Sequence, residues 1–120
     1  MGNYKIKIEK IHCVQHSDPD QHDEVWLLAQ SDGNVIQRYP PQATSTHSMT
    51  DGDDWVIDDF TIEFDGCSNL TLYEQDLKLD ISLTDFLGCT RFTSGASASS
   101  SPRICTNGTS SNYEVYFSWA

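Results

Sequence analysis

The stretch that decides the fold is residues 70–88, which read LTLYEQDLKLDISLTDFLG. It opens as a strand, because Leu70 and Leu72 alternate with polar neighbours. A polar loop follows, and the chain becomes apolar again from Phe86, where a second strand is predicted to run from Leu87 to Phe92. A strand, a loop and a returning strand in this order are typical of an antiparallel sheet.

Four carboxylates lie where the first of these strands ends and along the loop: Glu74, Asp76, Asp80 and Asp85. Residues two apart in a strand share a face, so Glu74 and Asp76 should point the same way. Carboxylates that converge at one strand end repel one another, and calcium is a hard cation that takes several carboxylate and carbonyl oxygens from such a loop. The spacing therefore allows two interpretations, a calcium site or a solvated acidic loop.

The rest of the chain alternates between short strands and polar loops. Further strands are predicted at residues 4–13, 25–29, 35–39, 55–57, 60–64 and 113–119. In the first of them the apolar parity changes, and a bulge near Glu9 and Lys10 would reconcile its two halves. Residues 31–34 (SDGN) and 50–54 (TDGDD) have turn chemistry, and Pro40-Pro41 marks a connection.

No convincing 3.6-residue apolar period occurs, so helices are not expected. Seven or eight strands in 120 residues predict an all-β fold, an antiparallel β-sandwich. Residues 1–120 should form a single domain, with a flexible Ser/Gly/Asn-rich loop at residues 93–111.

The charge of the chain restricts its partners. Eighteen Asp and Glu against seven Lys and Arg give a formal net charge of -11. Such a surface repels nucleic acid phosphates and anionic lipids unless metal ions first reverse the local sign, so no nucleic acid partner is expected. No apolar run has the length of a membrane span.

The cysteines and the polar composition bear on the compartment. Cys13, Cys67, Cys89 and Cys105 allow three disulfide pairings, and no Cys-x-x-Cys pair indicates a zinc site. The even cysteine count, the few lysines and two N-glycosylation triplets favour a secreted protein, in which at least one pair would be oxidised. No signal-peptide pattern is visible, so we expect the mature form. The alternative is a cytoplasmic protein with four buried thiols.

Two motifs resemble the C2 domain family, the calcium-binding sandwich of protein kinase C and synaptotagmin. Residues 23–27 (DEVWL) are similar to the family's first-loop acid and the strand after it, and residues 74–76 (EQD) with 85–88 (DFLG) are similar to its third loop. The resemblance implies that calcium is bound by Asp23, Glu74, Asp76 and Asp85, with Asp18 as the remaining first-loop acid. The sequence departs from the family in having Glu74 in place of an Asp, a longer third loop, more closely spaced first-loop acids and no polybasic strand.

The resemblance implies a calcium-dependent module that binds a membrane or a protein partner through acidic loops. Leu77, Leu79, Ile81 and Leu83 would be its membrane-inserting tips, or a short core strand. The turn at residues 49–53 (MTDGD) also looks like a small C2-like module of bacterial and fungal secreted proteins. The alternative function is a calcium-dependent lectin that binds carbohydrate, in which an exposed aromatic ring stacks on a sugar; Trp55 is the predicted exposed tryptophan.

Catalysis is not expected. No Ser or Cys lies in a nucleophile elbow, no His-Glu-x-x-His motif occurs, and the four histidines should be surface or hydrogen-bonded residues. Among the acids, we predict that Asp76 matters most for calcium because it lies at the strand end between both loops. Asp20 and Asp32 lie outside the motif, so their Asn variants should bind calcium as the parent does.

Overall fold

The structure, a computed structural model, describes residues 3–15, 22–42, 45–75, 84–93, 103–105 and 112–119. Within these residues the chain forms nine strands: β1 (Tyr4–Gln15), β2 (Asp23–Ser31), β3 (Val35–Tyr39), β4 (His47–Met49), β5 (Asp54–Phe64), β6 (Cys67–Gln75), β7 (Thr84–Thr93), β8 (Arg103–Cys105) and β9 (Asn112–Trp119). The same residues contain no helix, and so none long and apolar enough to cross a membrane.

The strands form two antiparallel sheets packed face to face. The first sheet has the order β5-β1-β9-β8, and the second has the order β3-β2-β6-β7. The short strand β4 also pairs with β2, beyond the end of β3. The all-β antiparallel sandwich predicted from the alternating strands is therefore confirmed.

The core lies between the two sheets because alternate residues of the long strands, such as β2 and β9, point inward. In β9, for example, Tyr113, Val115 and Phe117 are buried while the residues between them are half-exposed. Phe92 of β7 meets Phe117 of β9 edge to face, with 4.9 Å between ring centroids, so this pair joins the two sheets.

The bulge predicted in β1 is present. β1 pairs Ile8 with Phe117 and Lys10 with Tyr116, so Glu9 is an extra residue on β1 that has no counterpart on β9. The bulge reverses the parity of the strand, and in consequence Ile8 and Ile11 are both fully buried. It also explains β5, where the sequence predicted two strands. β5 stays continuous opposite this bulge, where Ile57, Asp58 and Asp59 lie opposite Glu9 and the alternation breaks because Asp58 and Asp59 are both exposed.

Two further expectations differ from the structure. Residues 103–105 form β8 within the segment predicted to be a loop, because β9 offers them a free edge for pairing. Trp55, expected to be exposed, is only 6% exposed. Its indole stacks on His47 at 4.7 Å between centroids and packs against Tyr39, so it belongs to the core.

Asp32 connects two turns at one end of the sandwich. The predicted hairpin turn has positive φ at Asp32 and Gly33, as a type I′ turn requires. The Asp32 carboxylate accepts hydrogen bonds from the backbone N–H groups of Asp65 (2.9 Å), Gly66 (2.6 Å) and Cys67 (3.3 Å). These hydrogen bonds lower the pKa of Asp32 below its ordinary value of 3.8, and the bond from Asp65 has the largest effect.

We expect Asp32→Asn to lower the melting temperature at pH 7 by several degrees, because the amide keeps the shape but loses the charge that the three N–H groups bind. Asn also tolerates positive φ, so backbone strain is not introduced. The folded pKa of Asp32 is the lower one, so its contribution is complete above the unfolded value near 3.8 and is lost as pH falls through the folded pKa. Circular dichroism melts across this acid range should show a flatter pH dependence for the variant. Parallel curves of melting temperature against pH for parent and variant would contradict this role. Asp58→Asn, at an exposed position of β5, is the control.

Candidate functional site

Asp23 is a fully buried carboxylate at the start of β2. It pairs with Met49 of β4 and lies on the inward parity of its strand, together with Val25 and Leu27. The hydroxyl of Tyr113, from the opposite sheet, donates a hydrogen bond of 2.5 Å to Asp23 Oδ2. The predicted first-loop ligand is thus held between the two sheets.

Glu74 is a second buried acid at the same end of the sandwich. It lies near the end of β6 with 9% of its surface exposed, and it pairs with Val25 on one side and with Asp85 on the other. Because Val25 is two residues from Asp23, Asp23 and Glu74 are diagonal neighbours in the sheet, about 7–8 Å apart along this diagonal. The register therefore gathers Asp23, Glu74 and Asp85 at one end of the second sheet.

The other predicted ligands, Asp18, Asp76 and Asp80, lie outside the described residues and stay predictions, as do the apolar tips at positions 77, 79, 81 and 83. Both gaps adjoin this end of the sheet. Residues 16–21 precede His22 and β2, and residues 76–83 connect β6 to β7.

Sequence reasoning missed part of this end of the sandwich. The turn before β5 packs against Cys13: Gly52 N–H donates to the Cys13 carbonyl (2.7 Å), and Cys13 N–H donates to the Asp53 carbonyl (2.9 Å). Burial, followed by the charges of Asp23, Asp51 and Asp53, raises the pKa of the Cys13 thiol to about 11. These two turn acids therefore add negative charge near Asp23. The turn was noticed in the sequence, but its position beside β1 depends on strand order.

The donor set fits calcium in kind. Asp23 and Glu74 offer carboxylates, the ligands that calcium prefers over softer donors. In the part of the chain that the structure describes, no group of three or more His, Cys, Asp or Glu side chains could hold a metal ion. Calcium takes about six to eight oxygens. Residues beyond the described ones, with water, would have to complete any shell that begins at Asp23 and Glu74.

Among the described histidines, His12 and His22 are hydrogen-bonded, as predicted, whereas His47 has an aromatic partner. His12 Nδ1 lies 2.6 Å from Asp54 Oδ1 on the outer face of the first sheet. This contact is the largest cause of the lowered pKa of Asp54. His22 Nδ1 is 2.9 Å from the Ser48 hydroxyl. His47 stacks on Trp55, and burial lowers its pKa. His16 lies outside the described residues.

The cysteines whose side chains the structure describes are free thiols. Cys13 is buried, Cys67 is half-buried and Cys89 is exposed, and no disulfide joins them. Cys67 Sγ instead accepts a hydrogen bond from Arg91 at 3.4 Å. The oxidised pair expected of a secreted chain is therefore not formed among these three residues.

Comparison with known proteins supports the architecture. No protein-family model matches the chain, and no curated protein matches it. One solved structure, described as "Structure of a C2 domain", is similar with a TM-score of 0.56 over 98% of this chain and 96% of that chain. The identity between the two sequences is 7%, so the similarity concerns the fold alone. The chain is therefore an antiparallel β-sandwich with a C2-like fold.

Proposed function

We propose that this C2-like sandwich is a non-catalytic calcium-binding module that binds a membrane or a protein partner when calcium is present. Asp23, Glu74 and Asp85 would supply the first ligands. Acids from the two adjoining loops, Asp18, Asp76 and Asp80, would complete the set.

The observation that carries this proposal is the burial of two carboxylates at one end of one sheet. Asp23 is 0% exposed and Glu74 is 9% exposed. Burying a carboxylate is costly, so such groups are retained where they are hydrogen-bonded, paired or bound to a metal ion. Tyr113 provides one hydrogen bond to Asp23. A cation between the loops would offset the repulsion among the remaining acids.

The charge of the chain supports a calcium-dependent mode of binding. At a net charge of -11, the surface opposes approach to anionic lipids or acidic proteins. A bound divalent ion is often the largest local charge in a site, so calcium at the loop end would supply the positive potential that the surface lacks.

Two of the described tryptophans, Trp55 and Trp26, do not favour the lectin alternative. Trp55 is buried in the core. Trp26, on the outer face of the second sheet, is stacked with Tyr73 at 4.7 Å and is covered by the Arg38 guanidinium at 4.6 Å. A ring enclosed in this way offers no open face to a sugar. Sedimentation with phosphatidylserine vesicles and binding to a glycan array, each with calcium and with chelator, separate the two functions.

Calorimetric titration of Asp76→Asn tests the site directly. The substitution keeps the side-chain shape and removes one charge, so we expect calcium affinity to fall steeply. The metal-free fold should keep or gain stability, because repulsion with Glu74, Asp80 and Asp85 is relieved.

Asp58→Asn is the matched control, since Asp58 is exposed on β5, a strand of the first sheet that contributes none of the proposed ligands. Asp32, which the sequence offered as a control, is unsuitable because its carboxylate accepts hydrogen bonds from three backbone N–H groups and stabilises a turn. Asp20 lies outside the described residues and stays a second predicted control. If Asp76→Asn binds calcium as tightly as the parent, residues 76–83 are only a solvated acidic loop.

A further inference from the structure

Tyr113 connects the candidate site to the opposite sheet. It lies on β9 of the first sheet, is fully buried, and reaches across the core to Asp23 at the start of β2. In register it pairs with Cys13 of β1. A hydrogen bond between a buried phenol and a buried carboxylate therefore joins β9 to β2, and the buried Cys13 of β1 lies beside Tyr113 in register.

In the hydrogen bond between Tyr113 and Asp23, the phenol hydroxyl donates and Asp23 Oδ2 accepts. Both side chains are fully buried, so bulk water does not compete for either partner. The Tyr113 hydroxyl is therefore a hydrogen-bond donor held 2.5 Å from one carboxylate oxygen of Asp23.

A fixed donor of this kind restricts how the carboxylate can turn. Side chains that ligate a metal are commonly oriented by hydrogen bonds from outside the coordination shell. A ligand oriented before the ion arrives loses less conformational freedom on binding. Asp23 meets this condition, since Tyr113 is held on a core strand whose neighbouring inward residues, Val115 and Phe117, are also buried.

We propose that Tyr113 is a positioning residue for calcium, which orients Asp23 across the sandwich so that the carboxylate is presented to the ion. This inference rests on the proposed calcium function. It adds that Tyr113, a residue of the opposite sheet that does not contact calcium, contributes to the calcium affinity of the site.

The test is a double-mutant cycle on the full chain, with calcium affinity measured by isothermal titration. We expect Tyr113→Phe to weaken calcium binding by about 10- to 100-fold, the usual effect of losing such an orienting partner. Asp23→Asn should also weaken binding. If Tyr113 acts through Asp23, adding Tyr113→Phe to Asp23→Asn should cause no further loss. A merely structural role would weaken both backgrounds equally, and that result would overturn the inference.

Tyr116→Phe is the matched control. Tyr116 lies on the same strand and its hydroxyl donates to Glu114 at 3.1 Å on the outer face, so its removal should leave calcium affinity unchanged. An equal loss in Tyr116→Phe would overturn the assignment to Tyr113.

A second measurement avoids any variant of Tyr113. In protein labelled with ¹³C at the tyrosine Cζ atoms, calcium should shift the Tyr113 signal in the parent but not in Asp23→Asn. An unmoved Tyr113 signal in a parent that binds calcium would overturn the positioning role alone. A parent that binds no calcium would overturn the proposed function together with this inference.

Discussion

Calcium at about one hundred times its dissociation constant is expected to raise the melting temperature of this protein by roughly 10 °C. If only the folded state binds the ion, such a concentration adds about 2.7 kcal/mol to the free energy of unfolding. For a chain of 120 residues, 1 kcal/mol corresponds to roughly 4 °C. The reason is the proposed site at one end of the second sheet, where a bound cation would offset the repulsion among the acids.

Differential scanning calorimetry in millimolar calcium and in chelator measures this shift. Magnesium at the same concentration is the control for ionic strength and for a general divalent effect, since Mg²⁺ gives up its water reluctantly and prefers a smaller octahedral site. An unchanged melting temperature in calcium would remove the basis of the proposed function.

Replacing Phe117 by alanine is expected to lower the free energy of unfolding by about 3–5 kcal/mol. Phe117 is 1% exposed and packs edge to face against Phe92, the contact that joins β9 of one sheet to β7 of the other. Its loss leaves a cavity between the sheets that a rigid β-sandwich cannot easily fill by collapse. Because natural domains are stable by only about 5–15 kcal/mol, the variant should be close to unfolding.

Urea denaturation followed by tryptophan fluorescence measures this loss. Val56→Thr is the control: Val56 is 66% exposed on β5 and both residues are β-branched, so the change should stay within about 0.5 kcal/mol. A similar loss in the two variants would show that Phe117 does not join the sheets as described.

Strand positions could be predicted from local pattern because β-strands bury every second residue. The alternation in β9 and the apolar residues at 70 and 72 in β6 were both visible in the sequence, and both strands are present. Turn chemistry was equally local. The hairpin at Asp32 and Gly33 follows from the residues that accept positive φ. The continuity of β5 was harder, because the bulge opposite Glu9 breaks its alternation without ending it.

The candidate site was only partly accessible to the same reasoning. The spacing of Glu74 and Asp85 around one loop predicted that they would meet, and the β6–β7 register places them directly opposite each other. Asp23 was predicted as a first-loop acid on the basis of resemblance. Its burial and its partner were not predicted, since Tyr113 read simply as the inward residue that begins a strand.

By itself, then, the sequence determined the all-β class, the positions of two turns and the clustering of acids in two segments, because each of these depends on neighbouring residues. Only the tertiary structure decided that Tyr113 of the opposite sheet is hydrogen-bonded to Asp23, that Asp32 holds a turn more than thirty residues away, and that Trp55 is buried. The physical reason is that these contacts depend on strand order and on the packing of one sheet against the other. Hydrogen bonds between residues 90 positions apart leave no trace in local periodicity.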